Sequence, residues 1–135
     1  MTKIPKNYKP TIKEKFMNAK MKEYFRMKLL NWKNELLKES SQTLNNLQNE
    51  NVAKPDITDR ASEEIDRSFE LRTRDRERKL INKIDAALQR IEDGSYGYCD
   101  ETGEPISIKR LEARPVATLS LEAQEMHEKA EKRIN

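Results

Sequence analysis

The sequence predicts a mainly α-helical fold: a long antiparallel coiled-coil hairpin, a small globular head and a C-terminal helix. Residues 12–48 contain neither proline nor glycine, and a second run free of both covers residues 59–93, so nothing in either run breaks a helix. Turn-forming residues gather instead in two places, 51–61 and 94–105. Composition agrees: 38% of the 135 residues are charged and 35% are hydrophobic, which leaves little core for the length and suits extended helices.

Residues 1–18 are read as a basic N-terminal segment. The first 38 residues carry eleven Lys/Arg against three Asp/Glu, a net +8, whereas the remainder nets −5. The overall +3 therefore hides a basic arm on an acidic body. Such an arm attracts nucleic acid, an anionic membrane or an acidic protein face, without choosing among them. The N-terminus lacks an apolar signal core, and no stretch approaches the roughly 18 apolar residues of a membrane span. A cytoplasmic protein without a membrane partner is expected. The single cysteine, Cys99, cannot form an internal disulfide and suits a reducing compartment.

Residues 19–93 form the hairpin, with its tip at about 51–61. In the first run Leu30, Leu37 and Leu44 recur by sevens, with Leu36 and Leu47 beside them, a helical seam. In the second, Ile65, Phe69, Leu80 or Ile81, Ile84, Leu88 and Ile91 form one stripe, which should pack antiparallel on the first. Arms of about 30 residues are roughly 45 Å long. Pro55 stops the first helix and Asp59 is the expected N-cap of the second, because its carboxylate can accept from backbone N–H groups of the first turn. Gln42, Asn45, Asn46 and Asn49 face a run rich in Arg72, Arg74, Arg76 and Arg78. So polar a seam disfavours a structural coiled-coil dimer, and a monomer is expected.

Residues 94–119 form the head. Tyr96 and Tyr98 are expected to fill its core with Ile106, Ile108, Leu111, Leu119 and Leu121. A short helix over 107–113 ends before Pro115, and Ser120 caps the C-terminal helix of 120–135. Cys99 reads as a buried thiol with no evident thiolate activator, and His127 as a surface side chain. No phosphate-binding glycine loop, nucleophile elbow or metalloprotease helix occurs, so no enzymatic activity is expected.

Four strings, Asp59-Arg-Ala, Glu70-Leu-Arg-x-Arg-Asp-Arg-Glu-Arg-Lys-Leu-Ile, Tyr96-Gly-Tyr-Cys99 and Ile108-x-Arg-Leu-Glu-Ala-Arg114-Pro, resemble the DksA/TraR family in order from about residue 20 to the end. The resemblance implies a bacterial transcription factor that binds RNA polymerase, without sequence-specific DNA binding of its own. Its hairpin would enter the secondary channel, with Asp56, Asp59 and Ala61 at the tip directed to the active site. It further implies that Arg76 contacts polymerase, and that Leu80, Lys83 and Arg114 help bind the alarmone ppGpp at that interface. Arg and Lys are the cations a polyphosphate needs. Gln124 stands where the family has a further phosphate-contacting lysine and brings no charge, so either alarmone affinity is weakened or another group such as Lys129 compensates. The implied action is modulation of promoter open-complex stability together with ppGpp. The alternatives are a Gre-like transcript-cleavage factor and a nucleic-acid-binding helical hairpin using the +8 arm on phosphates. The Asp-x-x-Asp-x-Ala spacing favours the first reading over the Gre-like one.

The family's four-cysteine zinc site is degenerate in this chain, reduced to Cys99, Thr102, Ser120 and Ala123. A structural zinc ion needs four nitrogen or sulfur ligands, and Cys99 with His127 supplies at most two. No zinc and no other tightly bound cofactor is expected; packing and hydroxyl hydrogen bonds from Thr102 and Ser120 should hold the head.

Overall fold

Asn18 decides where the first helix starts. In a computed structural model the backbone is described for residues 4–50 and 57–134, and side chains there except at 43, 44, 46–50, 57–60 and 134. Asn18 Oδ1 accepts the Met21 N–H at 2.8 Å, satisfying a donor that the helix itself leaves free. Helix α1 therefore runs Ala19–Glu50. Residues 4–18, read as a separate N-terminal segment, make turns, and Met17 sits in the left-handed region at φ 53°. Helix α2 follows at Ile57–Asp93. It begins before Asp59, so that residue lies inside the first turn rather than capping it; Pro55 and Asp56 lie outside the described residues. At its other end Gly94 takes φ +88° and its N–H returns to the Arg90 carbonyl at 3.0 Å, the glycine termination that L-residues resist.

Two shorter helices complete the chain, α3 at Ile108–Ala113 and α4 at Leu121–Ile134. Helix α3, expected from 107, starts one residue later because Ser107 caps it, its Oγ accepting the Arg110 N–H at 3.2 Å; α4 starts as expected, with Ser120 Oγ accepting the Ala123 N–H at 3.2 Å. Among the described residues the only β pairing is an isolated bridge between Tyr98 and Pro105, so the fold is mainly α-helical.

The chain divides into two compact units. The first, Met1–Leu30 with Ile84–Asn135, buries Met21, Phe25 and Leu29 of α1, Ile84, Ala87 and Ile91 of α2, and Tyr96, Ile106 and Leu111 of the head. The Tyr96 ring lies 5.7 Å from that of Phe25, and its hydroxyl donates to the Pro115 carbonyl at 2.7 Å. Burial pushes the phenol pKa strongly upward. Tyr98 and Leu121, expected in this core, are exposed. Tyr98 instead meets Phe16 edge-on at 5.3 Å, because the N-terminal segment lies across the turn. A Cβ on Gly97 would stand 2.8 Å from Met17 Cε, and its φ is +89°, so only glycine suits that crossing. Tyr24 and Lys28 of α1 donate to Glu112 Oε2 of α3 at 3.0 and 2.7 Å. Burial alone would raise the Glu112 pKa, but these two donors hold it low.

The second unit is Asn31–Lys83. Here Leu36 is buried while Leu37 is half exposed, so the series of leucines by sevens does not form the seam; Leu44 and Leu47 have side chains outside the described set. On α2, Ile65 and Phe69 are 69% and 66% exposed, whereas Glu77 is only 9% exposed. The physical reason is the helical period. Stepping back by sevens from the buried Ile91 and Ile84 arrives at Glu77, Glu70 and Glu63, which places Ile65 and Phe69 away from the seam.

Tyr96→Phe removes one donor and leaves a buried carbonyl unsatisfied, which costs about 1–3 kcal/mol. Urea denaturation should show this loss; unchanged stability would mean that the Pro115 hydrogen bond contributes nothing.

Candidate functional site

Side chains spaced by three and four residues share a helix face. On α2, Ile65, Phe69, Arg72, Arg76, Leu80 and Lys83 follow one another at such steps. All but Leu80, which is partly covered, are exposed. Arg72 Nε donates to the Ser68 carbonyl at 3.4 Å, which leans its guanidinium back along the helix. The second unit thus presents an apolar pair followed by cations, a surface suited to a partner that is both apolar and anionic. Arg76, Leu80 and Lys83, singled out by the sequence, fall on this stripe together. Ile65 and Phe69 belong to it too, although sequence reasoning assigned them to the core. Their signal was phase: they do not share the seven-residue register of Ile84 and Ile91.

Ala61 is exposed within α2, the backbone of Asp59 is helical and its side chain is outside the described set, as is all of Asp56. Arg114 is exposed at the C-cap of α3, its N–H bonded to the Arg110 carbonyl. It belongs to the first unit, Leu80 and Lys83 to the second. Gln124 is partly covered, and its amide donates to Glu128 Oε1 at 3.3 Å; Lys129 is exposed.

In the head, the four positions Cys99, Thr102, Ser120 and Ala123 are brought together. The Thr102 hydroxyl and the Ser120 N–H both donate to Cys99 Sγ, the latter at 3.3 Å. Thr102 Oγ1 in turn accepts the Glu104 N–H at 3.2 Å. The turn is closed by Cys99 N–H to the Glu104 carbonyl at 2.8 Å and Gly103 N–H to the Cys99 carbonyl at 2.9 Å. Led by the Thr102 hydroxyl, with backbone N–H groups of Ser120, Thr102 and Glu101, these donors outweigh burial and pull the thiol to about 6. This corrects the sequence reading, which found no activator. The thiolate is stabilised by hydrogen bonds rather than by a cation.

The same geometry tests the site for zinc. One sulfur, two hydroxyls already engaged in the turn and in the α4 cap, and one methyl do not make a closed tetrahedral shell, and among the described residues no cluster of three His, Cys, Asp or Glu is placed to hold a metal. The residues do not fit the ion. His127 of α4 pairs with the Glu101 side chain, outside any such cluster.

A helical protein with a knuckle of this shape and a cationic stripe on α2 defines a recognisable class, and the chain belongs to the DksA/TraR family. Residues 21–91 match the family model of the DnaK suppressor protein DksA, N-terminal domain. Residues 94–129 match that of the prokaryotic dksA/traR C4-type zinc finger. The chain is 61% identical over 126 residues to the RNA polymerase-binding transcription factor DksA of Caulobacter vibrioides, covering 93% of this chain and 89% of that protein. It is 44% identical over 121 residues to the protein of the same name in Escherichia coli, covering 90% and 80%. Among solved structures, transcription factor DksA2 from Pseudomonas aeruginosa superposes with a TM-score of 0.82 at 41% identity, covering 87% of this chain and 90% of that one.

The thiol makes a pH prediction. Its folded pKa lies below the ordinary value of about 8.5, so its stabilisation is complete above that value and is lost as pH falls through about 6. Thiolate absorbance of the folded protein should titrate near pH 6, and Thr102→Val should move the midpoint upward; a wild-type midpoint at about 8.5 would show that the Thr102 donor is not made in solution.

Proposed function

We propose that this protein is a non-enzymatic regulator of transcription that docks on bacterial RNA polymerase in its secondary channel and changes the stability of promoter open complexes. The observation that carries the reading is the stripe from Ile65 to Lys83 on α2, exposed in a chain whose relatives are named RNA polymerase-binding factors. The apolar pair supplies buried contact area, and Arg72 and Arg76 supply bidentate donors to acidic groups of the partner. Asp56, Asp59 and Ala61 act at the tip, near the polymerase active site. Two carboxylates are too few to hold Mg²⁺ alone, so the tip works beside ions and cations that polymerase already provides.

Leu80, Lys83 and Arg114 take up ppGpp at the interface, with Lys129 substituting for the charge that Gln124 lacks. Cys99, Thr102, Ser120 and Ala123 keep the head folded through hydrogen bonds and packing, independently of zinc. No described helix is long and apolar enough to cross a membrane, and the protein works as a monomer in the cytoplasm beside its polymerase.

The test is transcription with purified cognate polymerase on a promoter with short-lived open complexes, with and without ppGpp, in buffer containing a zinc chelator. The wild-type protein should shorten open-complex lifetime in the chelator, more strongly with ppGpp. The double variant Asp56→Asn, Asp59→Asn should still compete for polymerase but lose the effect. A wild-type protein without effect under either condition would refute the proposed role, and a fully active double variant would remove the tip from it.

A further inference from the structure

The face of α2 beside the stripe carries an anomaly. Seven-residue steps continue the apolar seam of Ile91 and Ile84 into Glu77 and then Glu70. Glu77 is nine-tenths buried and its Oε2 has no hydrogen-bond partner; Glu70, one heptad further, also has an unpartnered Oε2. A carboxylate oxygen removed from water without a donor is far costlier as an ion than as the neutral acid. The charged group of α1 that bears on Glu77 is Glu39, a second carboxylate. On α2 itself the nearest cation along the same face is Arg74, one turn earlier, and it does not bond that oxygen.

We propose that Glu77 is a proton-responsive joint in the helix pair of residues 31–83: proton uptake there tightens α2 on α1, and proton loss loosens it. Burial first, and Glu39 second, raise its carboxyl above the ordinary glutamate value. The sign follows directly. A raised folded-state value means that the ionised form opposes folding, so the penalty is complete above that value and vanishes below the unfolded one. The packing of residues 31–83 therefore becomes firmer as pH falls through the raised Glu77 value toward the ordinary glutamate range.

The experiment is a carbon-detected NMR titration of the Glu77 carboxyl, joined to amide hydrogen-exchange protection factors over residues 73–81 between pH 5 and 7.5. In the wild-type chain Glu77 should titrate above about 4.3, and protection should rise on acidification, about tenfold for each unit of upward displacement. Glu77→Gln should be highly protected at every pH with no such rise, and Glu70→Gln should keep it. An ordinary Glu77 titration, or a wild-type pH dependence retained in Glu77→Gln, would overturn the proposal. Circular dichroism of the variant, which conserves side-chain size, distinguishes either result from misfolding.

Discussion

Tyr96 joins three stretches of chain that are distant in sequence. Its ring lies against Phe25 of α1, its backbone forms the turn after α2, and its hydroxyl reaches the Pro115 carbonyl beyond α3. A large aromatic side chain with one polar end is suited to this task, because it buries much apolar surface and still fixes its orientation through a single hydrogen bond. Around it the first unit closes: Ile106 and Leu111 have no solvent exposure, Gly97 lets Met17 approach the turn, and Glu112 ties α3 back to α1. The knuckle at Cys99 depends on this frame. Its hydrogen bonds come from Thr102, three residues away, and Ser120, twenty-one residues away, and they meet only because the Tyr96 core holds both segments in place.

Helix α2 does two different jobs on two faces. Its inner face is apolar in the first unit, at Ile84, Ala87 and Ile91, and acid-bearing in the second, at Glu77. Its outer face in the second unit holds large apolar side chains and cations in solvent. Exposing Ile65 and Phe69 while burying Glu77 reverses what stability alone would select, since burying apolar area is favourable and burying an ion is not.

Local chemistry made much of this legible from the amino-acid sequence. Ser120 caps a helix by reaching one turn ahead and Gly94 ends one, and both were readable because the interacting groups are near in sequence. The degenerate ligand set at Cys99, Thr102, Ser120 and Ala123 was readable for its chemistry, though not for its geometry. The phase of the seam was not readable. Two stripes compete on α2, and a rule that assigns apolar residues to the core chooses Ile65 and Phe69 over Glu70 and Glu77. The packing chooses otherwise, because Ile84 and Ile91 set the register and a helix offers no way to shift it partway. The boundary at residue 18 was legible, but its cause was not: a single capping side chain, with Met17 in a left-handed conformation, separates the turns from the helix.

The claim on which the functional account turns is that the outer face of α2 is the docking surface. Equilibrium binding of the labelled protein to cognate RNA polymerase tests it most directly, using Phe69→Asp, which changes an exposed side chain and leaves the buried seam intact. The account predicts binding weakened by about tenfold or more, as for loss of an interface anchor, with unchanged urea stability. Wild-type affinity in that variant would contradict it.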